Sequence, residues 1–259
     1  MVNTLTIIAI IISLAISVGA PIVLVVIFKR KLGISIKVVL FGMLTFFFFS
    51  QVLEQLAHAY FLFGNETTEK LFKNPWMYML YGGLMAGIFE ETGRFIIMKY
   101  VLKHFRRWRD GLAFGIGHGG MEAIILVGLN SVVMIIFAMM INSGNIESLL
   151  VNAQVREVLA PISDQLTNSS SYFFLLGGIE RLSAIAIHIG LSILVLYAIR
   201  NQKMIYLFYA IIIHAIFDFP VALYQADVIE NIFVIEAWIA IIGVGSVIWT
   251  VKSRKIFVE

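Results

Sequence analysis

The chain has no cysteine, only four prolines in 259 residues, and charge on just 14% of them. Without a thiol, disulfides, Cys-ligated zinc, iron–sulfur clusters and a cysteine nucleophile are all excluded. The scarcity of charge is equally informative, because soluble domains carry about 25% Asp, Glu, Lys and Arg. Here 60% of the residues are hydrophobic and mean hydropathy is +0.94. That composition describes an integral membrane protein. No G-x-S-x-G elbow and no P-loop occur, so a serine hydrolase and a nucleotide-driven pump lack support and no nucleotide partner is expected. No block that looks like a soluble domain separates the apolar stretches, and residues 1–259 read as one membrane domain.

What is present is a series of long apolar runs, near 4–28, 38–63, 77–100, 111–141, 171–199, 204–223 and 229–251. Each is close to or above the ~20 residues that a helix needs to cross a bilayer. The expected fold is all-α, a polytopic bundle of about seven transmembrane helices in the cell membrane. The first run is preceded by no Lys or Arg and ends against Lys29-Arg30-Lys31, which predicts an uncleaved span rather than a signal peptide.

Placing the N-terminus outside puts fourteen Lys and Arg residues on the inner side and three on the outer, Lys70, Lys73 and Arg156. The C-terminus is then cytoplasmic, in accord with the positive-inside rule. The net charge of +3 thus reflects topology, and no nucleic-acid partner is expected. The segment from Asn142 to Ser170 is polar and amphipathic, and reads as an outer loop lying on the membrane surface, a lid, or a plain linker.

Against this apolar background stands GIFEETGRFIIM, Gly87 to Met98. Each charge near the centre of a spanning helix costs roughly 2.5–3.5 kcal/mol, yet this span carries Glu90, Glu91 and Arg94. Others carry Glu54 and His58, His118 and Glu122, Glu180, Arg181 and His188, and His214 and Asp218. Intramembrane ionisable groups mark function by default. The pairs Glu90/Arg94, His118/Glu122 and His214/Asp218 are four apart, so each helix presents one polar stripe. At 1.5 Å per residue Glu90 lies about 13 Å from Lys99, His118 about 12 Å from Asp110, His188 about 18 Å from Arg200 and His214 about 16 Å from Lys203. Four helices thus deliver their groups to one level, with water expected from the cytoplasmic side. Glu122, Asp218, Glu180 and Glu54 form a layer further out.

Three histidines and the acids beside them suit either of two hydrolytic routes. Zn2+ can be held by His118, His188, His214 and Glu90, or a carboxylate–histidine pair can activate water while another histidine stabilises the oxyanion. The soluble zincin pattern H-E-x-x-H is absent; the patterns here are H-x-x-x-E and H-x-x-x-D. Glu54–His58 and Glu180–Arg181 read equally well as interhelical ion pairs, and Arg94 as the partner of Glu91.

The ordered set Glu90-Glu91-x-x-Arg94, Phe114-x-x-x-His118, Glu180-Arg181 with His188, and His214-x-x-x-Asp218 resembles the YhfC family of intramembrane proteases, itself similar to the CAAX prenyl endopeptidases of the CPBP type and the PrsW proteases. The likeness runs through the third to sixth spans. It implies Glu90 as general base, His118 as its partner in activating water, and His214 and Asp218 as oxyanion-side groups. Glu91 and Arg94 would hold the helix, and Glu122, Glu180, Arg181 and His188 would support the site. A membrane protein or peptide is the substrate so implied, with either a metal-dependent or a metal-free glutamic mechanism. The Arg stands one residue nearer the glutamates than in the CAAX branch, and no prenyl groove is evident, so the CAAX substrate is not carried over.

Two readings of other classes compete. A non-catalytic scaffold would use the same groups to bind a partner helix. A proton-coupled transporter would use them as a relay, but such transporters show inverted repeats and broken spans. The one internal echo here, Glu90–Glu122 against Glu180–Asp218, is parallel and its spacings do not match.

Overall fold

A computed structural model describes residues 1–146 and 153–257. All of the regular elements among them are helical: α1 Thr4–Leu32, α2 Ile36–Gly64, α3 Glu66–Phe72, α4 Pro75–Ile96, α5 Trp108–Asn142, α6 Ala153–Asn168, α7 Ser171–Arg200, α8 Ile205–Gln225 and α9 Ile232–Ser253. Six of them, α1, α2, α5, α7, α8 and α9, are long and apolar enough to cross a membrane. The seventh expected span is the 22-residue α4, extended by a π-helical turn at Ile97–Val101. It falls outside that set, and it carries Glu90, Glu91 and Arg94, whose hydropathy is the lowest in the helix.

The helix ends follow local chemistry. Lys29, Arg30 and Lys31 occupy the last turn of α1, where cations complement the helix dipole, and Gly33 closes it in the left-handed conformation (φ 62°). Asn74 caps α4 by accepting from the backbone N–H groups of Trp76 and Met77. Beyond its far end, Arg106 donates to the carbonyls of Met98, Lys99 and Leu102, which satisfies acceptors the helix leaves open.

Helix α7 is the axis of the bundle and the most deeply buried of the candidate spans. It packs against α1, α5 and α9, while α2 lies on α5 and α4 pairs with α8. Small residues allow this. A Cβ on Gly87 would stand 2.6 Å from the carbonyl oxygen of Ile211, so α4 and α8 are close enough that only glycine fits. Gly115 meets the backbone of His188 and Ile189 in the same way. Gly115, Gly117 and Gly120 spell the G-x-G-x-x-G of dinucleotide enzymes, but they lie inside a helix with no strand before them, and the spacing serves helix approach instead. Gly87→Ala is expected to destabilise the protein by about 1–3 kcal/mol, read as a lower melting temperature in detergent. Gly177→Ala, with open space at its Cβ, should leave it unchanged or raise it.

The segment expected as an outer loop contains α6; residues 147–152 lie outside those described. Leu166 of α6 is buried with Val2, Ile10, Met134 and Ala138, so the helix docks on the bundle through its apolar face and is not a plain linker. Both α2 and α5 contain π-helical stretches, at Phe46–Glu54 and Ile124–Leu129. In the first, Phe46, Ser50 and Glu54 are its three buried residues, because the wider turn keeps residues four apart on one face. Such stretches are frequent at functional sites, and this one faces the ionisable cluster.

Candidate active site

Four helices bring their ionisable groups to one place. Glu90, Glu91 and Arg94 come from α4, His118 and Glu122 from α5, His188 from α7 and His214 from α8, and all are buried. Glu90 Oε2 is the focus. It lies 2.8 Å from His118 Nε2, 3.8 Å from His188 Nδ1 and 3.8 Å from His214 Nε2. Three imidazoles therefore converge on one carboxylate oxygen, and their rings are mutual neighbours, His118 to His188 at 5.0 Å and His188 to His214 at 5.5 Å between centroids.

Around that focus each ring is oriented by a second contact. Arg94, with no accessible surface, donates to Glu91 Oε2 at 3.1 Å and reaches His188 Nδ1 at 3.1 Å. A guanidinium has donors only, so His188 Nδ1 accepts, and its Nε2–H is left to donate to the carboxylate of Glu122 beside it. His214 Nδ1 is 2.7 Å from Glu91 Oε1 and donates to it, which turns Nε2 toward Asp218 Oδ2 at 3.4 Å and toward Glu90. His118 is held by aromatic rings, Phe46 edge-on at 5.4 Å and Phe114 stacked at 6.3 Å. Its Nδ1 has no hydrogen-bond partner among the described residues.

Arg181 bridges Glu122 at 2.6 Å and its neighbour Glu180, so the Glu180–Arg181 pair is structural and reaches the site through Glu122. Glu54 and His58 pair at 3.4 Å, but four apart within α2 and not between helices as expected. Their link to Tyr81, whose hydroxyl is 2.8 Å from His58 Nδ1, had no sequence signal beyond a tyrosine in the adjacent span. The Arg94–His188 contact was also missed: helical spacing relates residues within one helix, whereas this pair depends on which helices are neighbours.

Among the described residues, one group offers ligand atoms close enough for a metal: Glu90, His118 and His188, all within 4.8 Å of one another. The donor set fits. Two histidines and a carboxylate are a catalytic zinc set; His188 gives its Nε2–H to Glu122, as ligating imidazoles normally do, and its Nδ1 would take a metal in exchange for the Arg94 donor. His214 has the same backing from Glu91 and sits at the rim of the group. Glu90, His188, His214 and Asp218 line a cavity of about 390 Å3. The cavity extends from the site toward Tyr78 and Gln225, at the helix ends away from Lys99 and Lys203.

The model of the YhfC intramembrane metalloprotease family matches residues 14–239. The chain is 51% identical over 237 residues, 92% of each chain, to a Bacillus subtilis (strain 168) protein called "Uncharacterized membrane protein YhfC". No solved structure matches.

Proposed function

The chain belongs to the YhfC intramembrane metalloprotease family, is a multi-pass membrane protein, and from that premise we propose that it hydrolyses peptide bonds of membrane proteins or peptides at the Glu90–His118–His188 group with a bound divalent metal. The observation that supports this most is the convergence of three ring nitrogens on Glu90 Oε2, two of the rings being backed by carboxylates. An ion-pair network built for stability alone has no need of that arrangement, and buried ion pairs are weak contributors to stability in any case.

Glu90, His118 and His188 would hold the metal, zinc by the chemistry of the donor set. When bound, it polarises the scissile carbonyl and lowers the pKa of water enough to make a nucleophile near neutral pH. Glu122 and Glu91 fix the ring orientation of His188 and His214. His214 Nε2, facing Asp218 and Glu90 in the cavity, takes the proton of the attacking water and returns it to the leaving amine, with Asp218 steadying the charge between the two steps. Glu90 thus serves as a ligand in place of the general base implied by the family resemblance.

Glu90→Gln is the direct test. It keeps the shape of the side chain but removes an anionic ligand, so cleavage of a membrane-peptide library by the detergent-purified protein is expected to fall by at least about a thousandfold, with membrane insertion unchanged. Full activity in this variant would overturn the assignment. Neither cleavage nor metal in the unaltered protein would favour the scaffold.

A further inference from the structure

The cavity continues well beyond the atoms that the proposed chemistry uses. Along α4 it is lined from Glu90 to Tyr78, along α8 from His214 to Gln225, and along α2 from Phe46 to Leu62. At the helical rise, the lengths along α4 and α8 are about 18 Å and 16 Å, roughly half of the ~30 Å hydrocarbon core. All three helices give it the same direction. Lys99 follows the site end of α4, Lys203 precedes α8, and Lys29-Arg30-Lys31 precede α2, so the far end of the cavity is the end without the basic clusters. By the positive-inside rule that end faces outward. The mouth is spanned there by Tyr78, whose hydroxyl donates to Gln225 Oε1 at 3.2 Å.

Partway along the cavity lies the second ionisable cluster, Glu54, His58 and Tyr81. His58 contacts both of the others, but Glu54 Oε2 is buried and has no hydrogen-bond partner among the described residues. An unpaired carboxylate oxygen inside a membrane protein is costly. Ser50, Gln51 and Gln55 on the same wall add further polar groups. A peptide that is to be cleaved must be unwound locally, and then exposes backbone N–H groups that hydrocarbon cannot satisfy. The carboxylate lacks a donor, and such a peptide lacks acceptors.

We infer that this cavity is the binding cleft for an unwound peptide segment, entered from the face opposite the basic clusters, and that Glu54 positions the segment by accepting one of its backbone N–H groups. The inference rests on the hydrolase reading for its substrate class, but its test does not depend on turnover.

Because the chain has no cysteine, single cysteines can be labelled uniquely. In intact cells, a membrane-impermeant maleimide added outside is expected to label Gln225→Cys but not Lys103→Cys, and the reverse in inverted vesicles. Labelling of Gln225→Cys from the inner face alone would overturn the direction of entry. The second arm uses Gln55→Cys in the Glu90→Gln background and, as probe, a single-span peptide of about 20 residues with a Gly-Pro pair in its outer half. The probe is expected to slow labelling, and Glu54→Leu to raise the concentration needed by about tenfold or more, as for loss of a hydrogen bond to a charged group. Glu54→Gln, which keeps an acceptor oxygen and the side-chain shape, should restore part of that loss and shows that the cleft is still folded. No protection by the peptide overturns the cleft, and protection indifferent to Glu54→Leu overturns the role of Glu54. If the unaltered protein binds the peptide without cleaving it, the hydrolase reading fails and the cleft stands.

Discussion

Replacing His118 and His188 together by alanine is expected to take the detergent-purified protein from about one divalent metal per chain to background in elemental mass spectrometry, and to lower peptide hydrolysis by about a thousandfold or more. The two changes remove two of the three ligand atoms that lie within 4.8 Å of one another. Glu90 alone cannot hold zinc against water, and His214, 3.8 Å from Glu90 Oε2, supplies only one replacement. His58→Ala is the matched control. It also deletes a histidine from an ionisable cluster on the cavity wall, but one bonded to Tyr81 and Glu54, and it should leave the metal content unchanged. Metal retained at full stoichiometry in the double variant would remove these histidines from the ligand set. Hydrolysis by a metal-free preparation, lost in Glu90→Gln, would return Glu90 to the role of general base.

The level at which these groups meet was legible before the structure, and for a physical reason. Helical rise is constant, so counting residues from the nearest basic cluster gives depth, and Glu90, His118 and His214 came out within a few ångströms of one another. Spacing within a helix also reported correctly on Glu91 with Arg94, which contact as expected. What depth cannot give is rotation and neighbourhood. That Arg94 of α4 reaches His188 of α7, and so decides which ring nitrogen of His188 faces Glu122, depends on how helices far apart in sequence are turned against each other. The π-helical stretch at Phe46–Glu54 was equally hidden, since FFFFSQVLE carries no proline or glycine to announce it. Glu122 was read as lying further out than His188. It does lie one helical turn from His118, but α7 crosses so that His188 touches both levels. The docking of α6 was illegible for a related reason: its amphipathic pattern shows that one face is apolar, but not which partner covers it.

Arg94→Leu is expected to be the most destabilising single substitution in the protein, by about 3–5 kcal/mol. Neither Arg94 nor Glu91 has any accessible surface, and removing one partner of a buried pair leaves the other charge uncompensated where no water can reach it. The variant should show a sharply reduced yield of monodisperse protein and a melting temperature many degrees lower. The effect divides between two contacts. Glu91 would keep its bond from His214, but His188 Nδ1 would lose its donor, and with it the constraint that turns Nε2 toward Glu122. Adding Glu91→Leu to Arg94→Leu removes the orphaned carboxylate, so the double variant should recover a substantial part of the lost stability, as apolar replacements of buried ion pairs commonly do. It should not recover metal binding to the same extent, because His214 then loses its carboxylate partner while His188 remains unsteered, and such outer contacts are each worth about 10–100-fold in metal affinity. Stability that returns without affinity would locate the purpose of the Glu91–Arg94 pair: the membrane tolerates these charges because they aim two histidines at Glu90. Stability and affinity returning together would instead make the pair a structural strut.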